Sequence, residues 1–141
     1  MAVAAACCAL LVVLATVTHY EVLRGLSGAL AMLAVHSRAK LLVVIFATFS
    51  AHAAEILLYA VGIYLLSHYA HLGTLGGHGG SSFPSTIYFS AETYTSLGYG
   101  DVVPTGDLRL IAGVEALNGL LLIGWSASYT YIAMERYWRS G

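Results

Sequence analysis

Long apolar stretches alternate with short polar links along this chain. Three stretches, over residues 2–22, 39–67 and 108–133, are long enough to form helices that cross a membrane, since a hydrocarbon core of ~30 Å needs about 20 helical residues. A fourth apolar segment, 84–96, is too short to cross. The pattern therefore predicts three transmembrane helices and one loop or re-entrant helix between the second and the third.

The polar links differ in character. Residues 36–40 form a short basic link, whereas residues 71–82 are rich in glycine and carry no spanning signal. We expect the second link to be a flexible loop. The first apolar stretch has no basic residue before it, so it is predicted to be a retained membrane helix and not a signal peptide.

Composition narrows the class of protein. The chain has 141 residues, of which 59% are hydrophobic and 9% charged, against roughly 25% charged residues in an ordinary soluble domain. So few charges argue against a soluble enzyme, and the absence of a basic face argues against nucleic-acid binding. The high apolar content excludes disorder. An integral membrane protein remains, with no catalysis and no small-molecule substrate evident.

Basic residues predict the orientation in the membrane. Five of the six Lys and Arg residues lie on one side of the predicted spans, and only Arg109 lies on the other; the five are Arg24, Arg38, Lys40, Arg136 and Arg139. Because basic residues are enriched in cytoplasmic loops, that side is predicted to be cytoplasmic and the N-terminus external. An aromatic cluster near the inner end of the third span fits an interfacial belt: Tyr129, Tyr131, Tyr137 and Trp138.

The segment from Ser96 to Asp101 (SLGYGD) carries the candidate chemistry. Gly98 and Gly100 can adopt left-handed dihedrals without a Cβ penalty, so that consecutive carbonyl groups point the same way. Four such segments around an axis would form stacked rings of oxygens, which can replace the water shell of a monovalent cation. Ser96 adds a hydroxyl at the inner end.

The residues before this segment favour a short helix directed into the membrane. Pro84 suits a first helical turn, and Ser82 is a plausible N-cap. The helix is predicted to end near Thr95, so that its negative C-terminal end faces the membrane centre and stabilises a cation there.

Residues 92–101 (ETYTSLGYGD) resemble the signature of the potassium-channel pore family, in its minimal bacterial form. The resemblance covers about residues 82–136, and Pro84, Pro104 and Thr105 also fit it. It implies an all-α membrane protein with three transmembrane helices, a re-entrant pore helix and a filter loop. It further implies a homotetramer in a lipid bilayer that conducts K⁺ passively. The expected location is the cell membrane, as a multi-pass protein of the bacterial inner membrane with its C-terminus in the cytoplasm. The ion-contacting residues would be Ser96, Leu97, Gly98, Tyr99 and Gly100.

The resemblance also divides the chain. Residues 1–37 are expected to form a peripheral helix with its cytoplasmic link, and residues 38–141 a pore domain. Within that domain we expect an outer helix over 39–67, an outer loop over 68–82, a pore helix over 84–96, a filter over 96–101 and an inner helix over 107–136.

Two positions depart from the family pattern, because Ser96 stands for the usual Thr and Leu97 for the usual Val. We expect potassium selectivity to survive with a changed innermost ion site, and the retained Tyr99 favours potassium. Two alternatives stay open: a weakly selective monovalent cation channel, and a non-conducting membrane subunit or sensor on a pore-like scaffold.

Several residues are expected to support the filter. By analogy with similar channels, Glu92 and Asp101 would share a proton or a water behind it; alternatively, Asp101 is exposed and Glu92 is satisfied by backbone. Three aromatic residues of the pore helix, Tyr88, Phe89 and Tyr94, would pack around the filter and brace Tyr99. Thr95, at the end of the helix, would complete the support of the filter.

Polar and small residues within the spans suggest gating elements. Gly119 and Gly124 are candidate hinges of the inner helix, with close helix packing as the alternative. His52 and Glu55 share a helix face and are expected to form an intramembrane network with Glu115 and Asn118. Residues at the end of the first span could join it: His19, Glu21 and Arg24. The network would be either a pH sensor acting through His52 or a static structural device.

The remaining signals indicate no further site. The outer histidines His68, His71 and His78 are interpreted as solvated loop residues, since no Cys or carboxylate accompanies them. Cys7 and Cys8 are adjacent and are interpreted as small apolar residues. The first span lacks the repeated basic residues of a voltage sensor.

Overall fold

A computed structural model of the protein describes residues 1–77 and 79–138, with only the backbone of Trp138. The elements follow one another as α1 (Ala2–Met32), α2 (Ser37–His68), β1 (Leu75–Gly77), α3 (Phe83–Tyr94), β2 (Val102–Pro104) and α4 (Leu108–Trp138). The expectations for His78, Arg139 and the Trp138 side chain lie outside the described residues. Three of these helices are long and apolar enough to cross a membrane, so the predicted all-α membrane architecture is confirmed.

The long helices continue past the ends of their apolar stretches. Helix α1 has 31 residues, about 46 Å at 1.5 Å per residue, and it ends ten residues later than the hydropathy pattern predicted. The added turns stay helical because Leu26 and Leu30 are buried against Val44 of α2 and Ala133 of α4 in a small apolar cluster. Helix α4 continues five residues beyond its apolar stretch, to Trp138, where Ala133 and Tyr137 pack in the same cluster.

Helix α3 lies between α2 and α4, and each long helix contacts the other two. The main apolar core joins all four helices, with residues such as Leu11 of α1, Tyr59 of α2, Phe89 of α3 and Ile111 of α4. Tyr59 and Ile111 are fully buried. The core thus fixes α3 between α2 and α4, close to the point where residues 96–101 begin.

Local sequence sets both ends of α3. Ser82 is the N-cap and its side chain accepts a hydrogen bond from the Ser85 N–H at 3.4 Å, with Pro84 in the first turn, as predicted. The helix ends at Tyr94, two residues before the predicted end. Ser96 takes a left-handed conformation, with φ +57°, which stops the helix.

The glycine-rich link is more ordered than predicted, because it contains strand β1. This strand pairs antiparallel with β2, with Leu75 opposite Pro104 and Gly77 opposite Val102. Gly77 has φ +105°, and a Cβ there would lie 2.0 Å from the Asp101 carbonyl oxygen. The glycine therefore allows the close approach that ties this link to the outer end of the filter segment.

Candidate ion-conduction site

The filter segment has an alternating backbone. Ser96, Gly98 and Gly100 have φ of +57°, +55° and +79°, while no positive φ occurs at the residues between them. The left-handed conformations predicted for Gly98 and Gly100 are confirmed. Ser96 was not expected there, since a non-glycine residue pays about 1–2 kcal/mol for this conformation. A β-branched residue is a stronger outlier at positive φ, which gives a physical reason for Ser in place of Thr.

The first four amide groups of this segment, those of residues 96–99, bond to the end of α3. The N–H of Ser96 donates to Thr93 O at 3.0 Å, and the N–H of Leu97 donates to Glu92 O at 2.9 Å. The N–H of Gly98 donates to Glu92 O at 3.3 Å, and that of Tyr99 to Glu92 Oε1 at 3.0 Å. Glu92 therefore organises the filter backbone from behind through both its carbonyl and its carboxylate.

Amide direction fixes carbonyl direction. In a planar trans peptide, the C=O group of one residue points in the opposite direction to the N–H group of the next residue. The described part of the chain has no cis peptide bond. The carbonyl groups of residues 95–98 therefore point away from α3. Among the described residues none of the carbonyls of 96–100 accepts a protein hydrogen bond, and residues 95–100 are exposed. The carbonyl oxygens of residues 96–98 thus form an unpaired row on the side away from α3, and among the described contacts those of Tyr99 and Gly100 are unpaired as well.

Asp101 at the outer end of the filter segment is held by Tyr88. The Tyr88 hydroxyl donates to Asp101 Oδ2 at 3.1 Å and Oδ1 at 3.3 Å. Desolvation, with the Asp101 and Glu92 carboxylates, raises the pKa of Tyr88 to about 12, so the phenol remains a donor throughout the neutral range. Among the described contacts Glu92 and Asp101 share no direct hydrogen bond. Asp101 is exposed and Glu92 accepts a backbone N–H, as the alternative expected, and a water shared by the two carboxyl groups stays a prediction.

The other pore-helix aromatics do not brace the filter within one chain, contrary to expectation. Phe89 is buried in the main core. Tyr94 is fully buried, and its hydroxyl donates to Glu55 on α2, on the side of α3 away from the filter. Tyr99 remains 72% exposed and Leu97 60% exposed. The rings of Phe89 and Tyr94 are buried in the core and against α2, which keeps them from the filter segment of the same chain. The Thr95 hydroxyl donates to Ala91 O at 2.7 Å and so caps the helix end.

Glu55 is the centre of the intramembrane network. Its Oε1 lies 2.8 Å from His19 Nδ1, and its Oε2 lies 3.2 Å from His52 Nδ1. His52 Nδ1 also lies 2.8 Å from the Tyr94 hydroxyl. His19 Nε2 reaches Ser126 Oγ of α4 at 3.3 Å. The expected contact of His52 with Glu55 and the inclusion of His19 are confirmed, and a role of His52 in pH sensing stays a prediction.

Glu115 and Asn118 lie in a different cluster, so their assignment to this network was wrong. Glu115 Oε1 accepts a hydrogen bond from Ser90 Oγ at 2.5 Å, and Asn118 Nδ2 donates to Tyr59 Oη at 3.0 Å. The α4 residue level with His19 is Ser126, about 16 Å along the helix from Glu115. The expectation compared depths in the membrane by counting residues from the ends of each predicted span, and this count placed Glu115 at the wrong level. Glu21 and Arg24 pair with each other on the exposed surface.

Gly119 lies where α3 ends against α4. A Cβ at this position would be 2.1 Å from the Tyr94 carbonyl oxygen, whereas one at Gly124 would have no atom within 4 Å. Helix α4 runs through both glycines without interruption. The structure therefore gives Gly119 a packing role, and the hinge stays a prediction for both positions.

We expect Tyr94→Phe to lower the free energy of unfolding by about 1.5–3 kcal/mol, the range for a hydrogen bond to a charged group. The substitution keeps the buried ring and removes the hydroxyl that donates to Glu55. Denaturant unfolding of the purified protein in detergent measures the change. Tyr131→Phe is the control, since Tyr131 is 60% exposed, and an equal loss in both variants would contradict the assignment.

The fold and the site together define a class: a membrane protein whose re-entrant helix is followed by a segment with unpaired carbonyl groups. Residues 40–136 match the sequence profile of a protein family described as Ion channel. Because the match covers more than half of the chain, the protein belongs to this ion channel family.

One relative supports the more specific resemblance. The chain is 35% identical over 72 residues to two-pore potassium channel 1 of Arabidopsis thaliana, and the match covers 44% of this chain. It covers 20% of that relative, so the chain spans about a fifth of the relative's length. No solved structure matches the chain. With the family match, this relative confirms the predicted resemblance to the potassium-channel pore family.

Proposed function

We propose that the protein is a potassium-selective channel formed by four copies of this chain. The observation that carries the proposal is the row of unpaired carbonyl oxygens over residues 96–100, with left-handed backbone at every second position. Such oxygens replace the hydration shell of K⁺ when filter loops from several subunits meet at an axis. The bound ions would contact Ser96, Leu97, Gly98, Tyr99 and Gly100.

Exposed apolar residues support a homotetramer. A single chain supplies one oxygen at each level, and a cage around an ion needs four loops. Tyr99 and Leu97 are exposed in one chain although they are large and apolar. Neighbouring copies around a closed four-fold axis would cover part of this surface.

The channel is proposed to lie in a cell membrane, of the bacterial inner-membrane type, with the filter near the outer surface. Arg24, Arg38 and Lys40 lie around the link between α1 and α2, at the end of the molecule opposite the filter. The positive-inside rule then assigns that end to the cytoplasm. Helix α3 would direct its C-terminal end, where the carbonyl dipoles are negative, towards the permeating cation.

Reversal potentials of reconstituted protein test selectivity. With tenfold more K⁺ on one side and Na⁺ balancing the other, we expect reversal close to the potassium equilibrium value of about 59 mV, because only K⁺ fits the carbonyl rings. A reversal potential near zero would instead support a weakly selective cation channel. A correctly assembled protein that passes no ions would support a non-conducting subunit or sensor.

A further inference from the structure

A second site lies at the junction of all four helices, where two histidines and a carboxylate meet. The donor atoms of His19, His52 and Glu55 all lie within 4.8 Å of one another. They come from α1 and α2, and the hydroxyl of Tyr94 on α3 lies 2.8 Å from His52 Nδ1. We propose that these residues form a binding site for a divalent transition metal of the Zn²⁺ class.

Charge is the first argument for a cation here. The side chains of His19 and Glu55 have no exposure at all, and that of His52 is 19% exposed. Among the described hydrogen bonds and ion pairs, the Glu55 carboxylate contacts only the imidazoles of His19 and His52 and the phenol of Tyr94. Arg24, five residues after His19 on α1, pairs with Glu21 at the surface. A buried carboxylate in a membrane is costly unless a cation neutralises it, and a bound divalent ion would do so.

The donor set suits zinc. Two imidazole nitrogens and a carboxylate oxygen form a known three-residue ligand set, with bonds of about 2.0–2.2 Å. Tetrahedral bonds of that length place neighbouring donor atoms about 3.3 Å apart. His19 Nδ1 lies 2.8 Å from Oε1 of Glu55 and His52 Nδ1 lies 3.2 Å from Oε2, so the two imidazoles meet different oxygens of one carboxylate. Small side-chain rotations would therefore open the site, and the Tyr94 hydroxyl or a water would be the fourth ligand.

The surroundings also match a metal site. Metal-binding imidazoles hold their tautomer through a partner on the second ring nitrogen. His19 has such a partner, because its Nε2 lies 3.3 Å from Ser126 Oγ. A metal here would tie α1 and α2 to Tyr94, the last residue of α3, and so to the start of the filter segment.

Titration with ZnCl₂ tests the site directly. Purified protein in detergent is stripped with a chelator and then titrated by calorimetry, with the bound metal counted by mass spectrometry. We expect one zinc per chain, and Co²⁺ should show the visible bands of a tetrahedral site. At a hundredfold excess over the dissociation constant, the thermal midpoint should rise by about 5–10 °C. Binding should weaken towards pH 5, because the ligands must be deprotonated.

Matched variants distinguish this site from adventitious binding. We expect His52→Gln and Glu55→Gln to weaken zinc binding by about a hundredfold or more. His68→Gln, on the same helix but exposed at its outer end, should bind as the unmodified protein does. If Glu55→Gln does not fold, the zinc affinity of His52→Gln decides, because His52 is partly exposed and its substitution disturbs the core less. Absence of saturable binding, or equal affinity in His52→Gln, would overturn the proposal and leave a hydrogen-bonded network. Since no step measures ion flux, this failure would leave the proposed channel function untouched.

Discussion

Gly98→Ala is expected to abolish potassium flux while the helices remain folded. Gly98 has φ +55°, where an alanine pays about 1–2 kcal/mol. Four copies in a tetramer would pay about 4–8 kcal/mol together. Each 1.4 kcal/mol is a factor of ten, so competent filters should become at least about a thousandfold rarer. Relief of the strain would rotate the peptide groups on either side of residue 98, so that their carbonyl oxygens would point away from the ion path.

A second glycine provides the control for backbone strain. Gly80 also has φ +55°, and a Cβ at either glycine would meet no atom within 4 Å. Gly80→Ala therefore imposes the same dihedral cost in the outer link, outside the filter segment, and should conduct normally. Both variants are compared by K⁺ flux into liposomes after the assembly size has been checked. Normal flux through Gly98→Ala, or equal loss in both variants, would contradict the filter assignment.

Gly119→Ala is expected to destabilise the protein by about 3 kcal/mol or more, at the upper end for overpacking. The new Cβ would lie 2.1 Å from the Tyr94 carbonyl oxygen and 2.9 Å from its carbonyl carbon. Those atoms are backbone, so no side-chain rotation relieves the clash, and α3 must move away from α4. Because Tyr94 is the last residue of α3 and lies two residues before the filter segment, flux should fall with stability.

Gly124→Ala is the matched variant on the same helix, since its Cβ would lie in open space. It should be neutral or slightly stabilising, because alanine is the better helix former in a helix interior. Denaturant unfolding in detergent measures both variants. A Gly119→Ala protein of unchanged stability but altered opening would contradict the packing role and support the hinge instead.

Features set by local backbone chemistry were predictable from the sequence. Apolar length alone located the three spans, and Ser82 with Pro84 marked the start of α3. The alternation at Gly98 and Gly100 followed from the dihedrals that glycine alone adopts freely. Each of these inferences depends on a few neighbouring residues, which the sequence states directly.

Features set by packing between helices were not predictable. Hydropathy does not show where a helix stops beyond the membrane, so the buried turns around Leu26 and Leu30 were missed. Helical spacing placed His52 beside Glu55, but it could not show that Tyr94 turns towards them. Depth counted along separate helices carries no information on how those helices are staggered, which is why Glu115 was assigned to the wrong cluster.

An experimental density map of the assembled protein in potassium tests the central proposal most directly, with thallium as an identifiable substitute ion. The account predicts four copies around one axis, ion density along it, and the carbonyl oxygens of residues 96–100 facing those ions. Carbonyl groups turned away from a shared axis, or an assembly that encloses no continuous water-filled path, would contradict it.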